Sequence, residues 1–244
     1  MASPVFTDNS PFVAPEVTLG NSTPSVMTID NTIRKSIILF AIVLAGAGVG
    51  WFIPGLYFVA ALIGLVLGLV ISFKKSINVP LIVSYAAFEG IFVGGLSSVL
   101  ENVYPGVVLQ SVLATFAVIG TTLLLFTSGK VRTSPKMTKF FLIAMTSYLV
   151  FSLINVGLQL TGIAGGDWGL YSATVFGIPL GFVLGIFAVL MGAYSLIMDF
   201  EHIQHGVRNR LPEKYGWLAS FGLVVTVIWI YVEILRLISI IRGN

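Results

Sequence analysis

The sequence predicts an all-α, polytopic membrane protein built as a bundle of seven transmembrane helices. Of its 244 residues, 57% are hydrophobic and only 9% are charged, with 13 Lys and Arg against 10 Asp and Glu. A soluble domain uses roughly a quarter of its residues for charge, so this chain lacks the means to cover a water-exposed surface. Seven apolar runs, each near the ~20 residues that cross a ~30 Å hydrocarbon core, supply the spans. The sequence does not show the short alternating segments of a membrane β-barrel, and a separate soluble catalytic domain is excluded.

The first 35 residues differ from the rest, being rich in Ser, Thr, Asn, Asp and Pro. Such a segment cannot bury enough apolar surface to offset the entropy of ordering it. A secretory signal would begin with basic residues, whereas the first Lys or Arg here is Arg34, next to the first apolar run. We therefore predict a retained, disordered cytoplasmic tail over residues 1–35 and a transmembrane domain over residues 36–244.

The spans are expected wherever an apolar run is long enough to cross the membrane. In order, the runs are Ser36–Ile53, Leu56–Phe73, Val79–Val99, Val107–Phe126, Phe140–Leu160, a long one within Tyr171–Met198, and Trp217–Ile241. Pro54 and Gly55 separate the first two runs and predict a turn, so these runs should form a helical hairpin. Pro179 lies inside the sixth run and predicts a kink or a late helix start, because proline lacks a backbone donor.

Most basic residues fall on one side of this seven-span arrangement. Eleven of the thirteen do so: Arg34, Lys35, Lys74, Lys75, Lys130, Arg132, Lys136, Lys139, Arg208, Arg210 and Lys214. Because cytoplasmic loops retain positive charge, the pattern places the N-terminus in the cytoplasm. The loops on the other side carry Glu101 and Asp167 instead. Arg236 and Arg242 are exceptions, because seven crossings would place them on the external side. They would agree with the charge rule if the last run turned back before crossing.

Small residues recur at helical spacing in three of the runs. They are the pairs Gly64 and Gly68, Gly90 and Gly94, and the series Gly177, Gly181 and Gly185. Such stripes let helix backbones approach closely in lipid, where van der Waals packing replaces the hydrophobic driving force. We expect close helix packing at these positions. A permeation path along the Gly177 series is the alternative.

Three carboxylic acids lie within or at the end of apolar runs: Glu89, Asp199 and Glu233. A charge at a helix centre in lipid costs about 2.5–3.5 kcal/mol and is retained mainly where it faces protein or a wet cavity. Asp199 could be an interfacial charge, Glu233 a neutral acid or the partner of Arg236, and Glu89 a neutral acid bonded across helices. Two carboxyl groups held together in an apolar environment tend to share a proton, which would suit a proton-sensitive gate or a cation site.

The sequence gives little evidence for an enzyme active site or a metal site. The chain has no Cys, which excludes disulfides, thiolate metal sites and a cysteine nucleophile. Asp199, His202 and His205 share three-residue spacing, but no further ligand is defined, so we predict interfacial histidines and no metal. Gly94 to Ser98 lacks the spacing of a serine nucleophile elbow, and no span contains a histidine to activate it. We predict no enzyme, no cofactor and no nucleic-acid partner.

Three segments together resemble the Bax inhibitor-1 (transmembrane Bax inhibitor motif) family. They are Phe88-Glu89-Gly90 with Gly94-Gly95, Met198-Asp199-Phe200, and Ile230-Tyr231-Val232-Glu233 with Leu235 and Arg242. The polar tail and the loops Tyr104-Pro105-Gly106 and Thr127-Ser128-Gly129-Lys130 are most similar to the bacterial branch. The resemblance implies six helices in layers around a central last helix. It also implies that Asp199 and Glu233 form a regulatory pair, with Glu233 standing where many relatives have Asp.

The resemblance further implies a pH-sensitive calcium leak in the bacterial inner membrane, with the Ca²⁺ ion and the lipid bilayer as partners. Calcium prefers oxygen ligands, which carboxylates and freed backbone carbonyls can supply. The alternative is a non-transporting interaction protein that regulates a membrane protease or a stress response. A proton-coupled transporter ranks third, because the halves of the sequence show no convincing inverted repeat.

Overall fold

The computed structural model describes residues 25–74, 76–163 and 168–243. Within them lie seven helices with the length and apolar composition needed to cross a membrane, which confirms the predicted fold class. The helices are α1 (Ile29–Phe52), α2 (Tyr57–Phe73), α3 (Val79–Val103), α4 (Val107–Thr127), α5 (Pro135–Leu160), α6 (Leu180–Arg208) and α7 (Tyr215–Gly243). Short 3-10 turns occur at Pro54–Leu56 and Gly169–Ser172, and a small antiparallel hairpin pairs β1 (Thr174–Val175) with β2 (Ile178–Pro179).

Helix α1 starts earlier than the composition predicts. It begins at Ile29, where the Thr28 hydroxyl accepts a hydrogen bond from the Asn31 amide at 3.2 Å and caps the first turn. Val26, just before the cap, pairs with Pro212 in an isolated bridge. The predicted boundary at residue 35 is therefore wrong for residues 25–35, because a helix cap and the bridge to Pro212 order a polar segment. The rest of the predicted tail, residues 1–24, lies outside the described residues.

Helix α6 starts later than its apolar run. The predicted late start at Pro179 is confirmed, since the helix begins at Leu180 directly after it. The apolar residues before Pro179 form the 3-10 turn and the hairpin instead. Gly177 occupies the hairpin turn with φ +79° and does not lie on a helix, so the predicted glycine series is wrong at that position and consists of Gly181 and Gly185 alone.

The described residues pack into two compact units. Unit 1 holds those up to Val99 together with Asp199–Val225, and unit 2 holds Leu100–Met198 with those from Thr226 onward. Helices α3, α6 and α7 each contribute one part to each unit. The two acids of the expected pair thus belong to different units, with Asp199 in unit 1 and Glu233 in unit 2.

In unit 1, glycines bring α1 and α3 into close contact. A Cβ added at Gly90 or Gly94 would overlap the backbone carbonyl of Val43 or Ala47 on α1. Because a rigid backbone cannot yield as a side chain can, only glycine fits at these two positions. The predicted role of this pair in helix packing is confirmed.

In unit 2, α6 packs against the second part of α7. A Cβ at Gly181 would meet the Ile240 side chain, and one at Gly185 would meet Leu237. Half of the most apolar stretch of α7 is buried, against 11–39% for the other described spans. This is the burial expected of a helix with neighbours on several sides.

Candidate functional site

Glu233 lies at the centre of a polar cluster in unit 2. Its side chain is buried on α7, with the residue 4% exposed. The Tyr148 hydroxyl on α5 donates to Oε1 at 2.7 Å, and Trp229 Nε1, one turn earlier on α7, donates to the same oxygen at 3.2 Å. Arg236 Nη2 forms an ion pair with Oε2 from one turn later. Of the alternatives left open by the sequence, the structure selects the pair with Arg236.

Arg236 is held on several sides within the same unit. Its guanidinium carbon lies 4.2 Å from the centroid of the Tyr171 ring, in a cation–π contact, and Nη2 also donates to the Tyr148 oxygen. The Tyr171 hydroxyl bonds Ser152 Oγ at 2.9 Å. Another guanidinium nitrogen, Nε, is buried and has no hydrogen-bond partner among the described residues. The cationic group is thus fixed by one carboxylate and two tyrosines.

The segment before α6 positions Tyr171 for this contact. Asn155 on α5 is buried, and its Oδ1 accepts a hydrogen bond from the Leu170 amide at 2.7 Å. Gly169, which precedes Leu170, has φ +58°, and a Cβ there would lie 2.6 Å from Asn155 Oδ1. Glycine is therefore needed at this turn on two grounds, backbone conformation and space. The turn in consequence holds Tyr171 against the Arg236 guanidinium.

Tyr148, Tyr171 and Ser152 were not among the sequence-predicted site residues. Each has a hydroxyl in an otherwise apolar stretch, and a buried hydroxyl needs a hydrogen-bond partner. This feature does not single out these three residues, because the sequence contains many hydroxyl side chains in apolar stretches. Which of them meets Glu233 and Arg236 depends on how α5 packs against α7.

Asp199 lies near the end of α6 and is half-buried in unit 1. A Cβ added at Gly222 on α7 would lie 3.2 Å from Asp199 Oδ1. The absence of a side chain at position 222 therefore gives the carboxylate its space beside α7. The structure thus leaves this acid half-buried, next to the backbone of α7.

Glu89 is half-buried on α3 and faces α2 within unit 1. A Cβ at Gly64 would lie 2.6 Å from Glu89 Oε2, and one at Gly68 would lie 3.3 Å from the ring of Tyr85. Tyr85 in turn packs edge-on against Phe221 of α7, with ring centroids 4.9 Å apart. The pair Gly64 and Gly68 therefore makes room for two polar-tipped side chains of α3, which refines the packing role predicted for it.

The sequence profile of the family described as Bax inhibitor 1 like matches residues 3–243. The chain belongs to the Bax inhibitor 1 like family. This confirms the resemblance found in the three segments that contain Glu89, Asp199 and Glu233. No curated protein sequence matches the chain. Seven membrane-length apolar helices together with membership of this family identify a multi-pass membrane protein.

A second ionic cluster of this Bax inhibitor 1 like protein lies in unit 1, where the α6–α7 loop meets α1. Lys35 is 7% exposed, and its Nζ lies 3.2 Å from Glu213 Oε1 and 2.8 Å from the Glu213 carbonyl oxygen. Hydrogen bonds from Ser25, Asn31 and Lys35, with the Lys35 charge, lower the pKa of the Glu213 carboxyl to about 2. Lys35 therefore acts as a structural partner of the loop, although the sequence placed it at the end of the predicted disordered tail.

The two histidines show no metal arrangement in this family member. Among residues 25–74, 76–163 and 168–243, no group of three or more His, Cys, Asp or Glu could hold a metal ion. His205 contacts the side-chain amide of Asn209 one turn later, at 2.9 Å from Nδ1.

Proposed function

We propose that this member of the Bax inhibitor 1 like family passes Ca²⁺, or a related cation, passively through the membrane in response to pH. Asp199 and Glu233 are the proposed pH-sensing acids. The observation that carries the proposal is a carboxyl group, Glu233, that is buried in a membrane-spanning helix and forms an ion pair with Arg236. Buried charge at membrane depth is typical of ion pathways, proton relays and gates.

The Glu233 cluster offers a physical basis for a response to protons. Arg236 and a proton compete for the same carboxylate, because each neutralises its charge. Protonation of Glu233 removes the partner of Arg236, and the guanidinium then has only the two tyrosines to hold it. Since Tyr148 lies on α5 and Arg236 on α7, the exchange changes how these two helices are joined in unit 2.

Calcium transport needs oxygen ligands that bind the ion weakly enough to release it. Asp199 and Glu89 supply carboxylate oxygens in unit 1, each accommodated by a glycine of a neighbouring helix. Asp199 also lies on α6, nine residues before that helix ends at Arg208. In the proposed mechanism Asp199 and Glu233 titrate as one system, and Glu89 has a separate role along the ion path or in packing.

Liposomes loaded with a calcium dye provide the test. With purified protein alone, calcium flux should depend on external pH. Asp199→Asn or Glu233→Gln should each remove most of this dependence, and the double variant should add little, because coupled sites are not additive. Glu89→Gln is the matched control, since it also neutralises one acid. It should change conductance or stability while leaving the titration midpoint in place.

Two results would contradict the proposal in different ways. If Asp199→Asn and Glu233→Gln shift the midpoint independently and additively, the two acids are not a coupled pair. If the purified protein gives no flux at any pH, the chain is not a leak, and a role in regulating a membrane protease or stress pathway becomes the better explanation.

We also propose that the protein lies in the inner membrane of a bacterium with its N-terminus in the cytoplasm. The distribution of Lys and Arg supports this orientation. Reporter domains fused after Lys130 or Arg208 should then read as cytoplasmic, and a reporter after Glu101 should read as external. A cytoplasmic signal at Glu101 would contradict the orientation.

A further inference from the structure

The hairpin between α5 and α6 has an unusual turn. Strands β1 and β2 are joined by two residues, Phe176 and Gly177, whose φ angles are +54° and +79°. A two-residue turn with both φ angles positive strongly prefers Asn-Gly or Gly-Gly. A bulky aromatic residue rarely adopts positive φ, because its Cβ crowds the backbone. The sequence therefore places a large apolar side chain at a turn position that disfavours it.

The same side chain is the most exposed large hydrophobic group among the described residues. Phe176 is 100% exposed, and its neighbours Val175 and Ile178 are 51% and 47% exposed. The segment Trp168–Pro179 contains no charged residue. A hairpin that projects into water would normally carry polar turn residues, so this composition indicates an apolar environment at the tip.

The hairpin is also held in place. The register pairs Thr174 with Pro179 and Val175 with Ile178. The Leu180 amide at the start of α6 donates to the Ala173 carbonyl oxygen at 2.7 Å. These bonds tie both strands to the first turn of a membrane-spanning helix. Phe176 is thus presented by a braced element at the end of a span.

The apolar surface of the hairpin continues the lipid-facing surface of the adjoining helices. Exposed apolar side chains occur at Leu160, where α5 ends, and at Val183 and Ile186 in the first turns of α6. In a multi-pass membrane protein, such side chains on spanning helices face lipid. A segment that joins the ends of two spans lies at the depth of the headgroups, where aromatic side chains are favoured.

We propose that the hairpin Thr174–Pro179 inserts Phe176 into the bilayer, at the boundary between the headgroups and the acyl chains. The partner is the apolar part of the lipid, and anionic headgroups are not required, since the sequence has no Lys or Arg from residue 140 to residue 207. Membrane attachment by apolar burial alone is the expected mode for a surface of this kind. The proposal is independent of the calcium leak.

The test uses the absence of cysteine from the chain, which makes one introduced Cys the only labelling site. A nitroxide spin label is attached to Phe176→Cys in the full protein, reconstituted in phosphatidylcholine liposomes. Its accessibility to oxygen, which concentrates in lipid, is compared with that to a water-soluble nickel chelate. Matched controls are Phe116→Cys, on an exposed face of α4, and Lys130→Cys, in an exposed loop.

The label at position 176 should favour oxygen over nickel clearly more than the label at position 130 and less than the label at position 116, which lies at the middle of α4, and adding phosphatidylglycerol or salt should not change the ratio. Nickel accessibility like that at position 130 would overturn the proposal by placing the hairpin in water. Protection from both reagents would also overturn it, because it would show that a second copy or another protein covers the tip.

A second variant tests the side chain itself. Phe176→Asn suits positive φ and removes the apolar anchor, so the protein should fold with an unchanged or raised melting temperature in detergent. A label at Ile178→Cys in this background should gain nickel accessibility several-fold relative to the same label beside Phe176. An unchanged ratio would show that Phe176 is not the anchor.

Discussion

Replacing Arg236 by methionine should destabilise the protein more than any other single change in the Glu233 cluster. Methionine keeps an apolar side chain of similar length beside Tyr171 but removes the positive charge. The buried Glu233 carboxylate would then keep, among the residues that the structure describes, only two hydrogen-bond donors, Tyr148 and Trp229. The loss comes mainly from that uncompensated charge, because removing one member of a buried pair leaves the desolvation of the other unopposed.

The expected size follows from burial. The Arg236 and Glu233 side chains are 16% and 5% exposed, so solvent screens the pair only slightly. Breaking a buried pair costs about 3–5 kcal/mol, and the two remaining donors favour the lower end, about 3 kcal/mol. At about 2–4 °C per kcal/mol for a chain of this size, the melting temperature should fall by roughly 6–12 °C.

Thermal unfolding in detergent, followed by the fluorescence of the four tryptophans, measures this fall. Arg242→Met is the matched control, because Arg242 is exposed and donates to the Pro105 carbonyl, so its loss should change stability by less than about 1 kcal/mol. The double variant Glu233→Gln with Arg236→Met removes both charges and should recover much of the lost stability. The reasoning fails if Arg236→Met is no worse than Arg242→Met, or if the double variant is as unstable as the sum of the two single changes.

Three other outcomes can be measured by the same unfolding assay. The pKa of Glu213 in the folded protein, about 2, lies below its ordinary value of 4.5, so its contribution to stability is complete above pH 4.5 and is lost as pH falls toward 2. Glu213→Gln should therefore reduce the change in melting temperature between pH 5 and pH 2. Gly94→Ala should cost about 1–3 kcal/mol through overlap with α1, whereas Gly48→Ala, with open space around it, should be neutral or stabilising. Deleting residues 1–24 should leave the melting temperature nearly unchanged on grounds of composition. By contrast, Met27→Ala should lower the free energy of unfolding by about 2–5 kcal/mol, because that side chain is buried.

The sequence predicts a helix boundary correctly where local composition determines that boundary, and incorrectly where a distant contact does. The ends of α2 and α4 agree with the apolar runs, because there the chain changes from lipid-compatible to polar residues at the membrane edge. The start of α1 does not, since Lys35 looks like a solvated charge until Glu213, 178 residues away, is seen to bind it. The start of α6 is ambiguous for the opposite reason: residues 171–179 are as apolar as a helix, and only Pro179 signals that the helix begins after them.

Some residues of the candidate site can also be predicted from the sequence, and others depend on tertiary packing. The pair Glu233 and Arg236 is visible in the sequence because residues three apart lie on one helix face. Its partners on α5 are not, since α5 is apolar around most of its circumference and no pattern singles out the turn that bears Tyr148. Gly64 shows a third situation, in which a packing motif was recognised correctly while the group it packs against, the Glu89 carboxylate, depended on tertiary structure.

The pairing of Arg236 also bears on the path of the last span. The proposal that the chain turns back before crossing arose because two basic residues, Arg236 and Arg242, lie at the wrong end for the charge rule. Helix α7 instead runs unbroken to Gly243, so that alternative is wrong. The Arg236 charge is neutralised within unit 2 by Glu233 and does not act as a loop charge, which leaves only Arg242 as an exception. One exposed arginine in the last turn of α7 is a small bias against the eleven basic residues that favour the opposite side, so the charge distribution supports the proposed orientation without a re-entrant last helix.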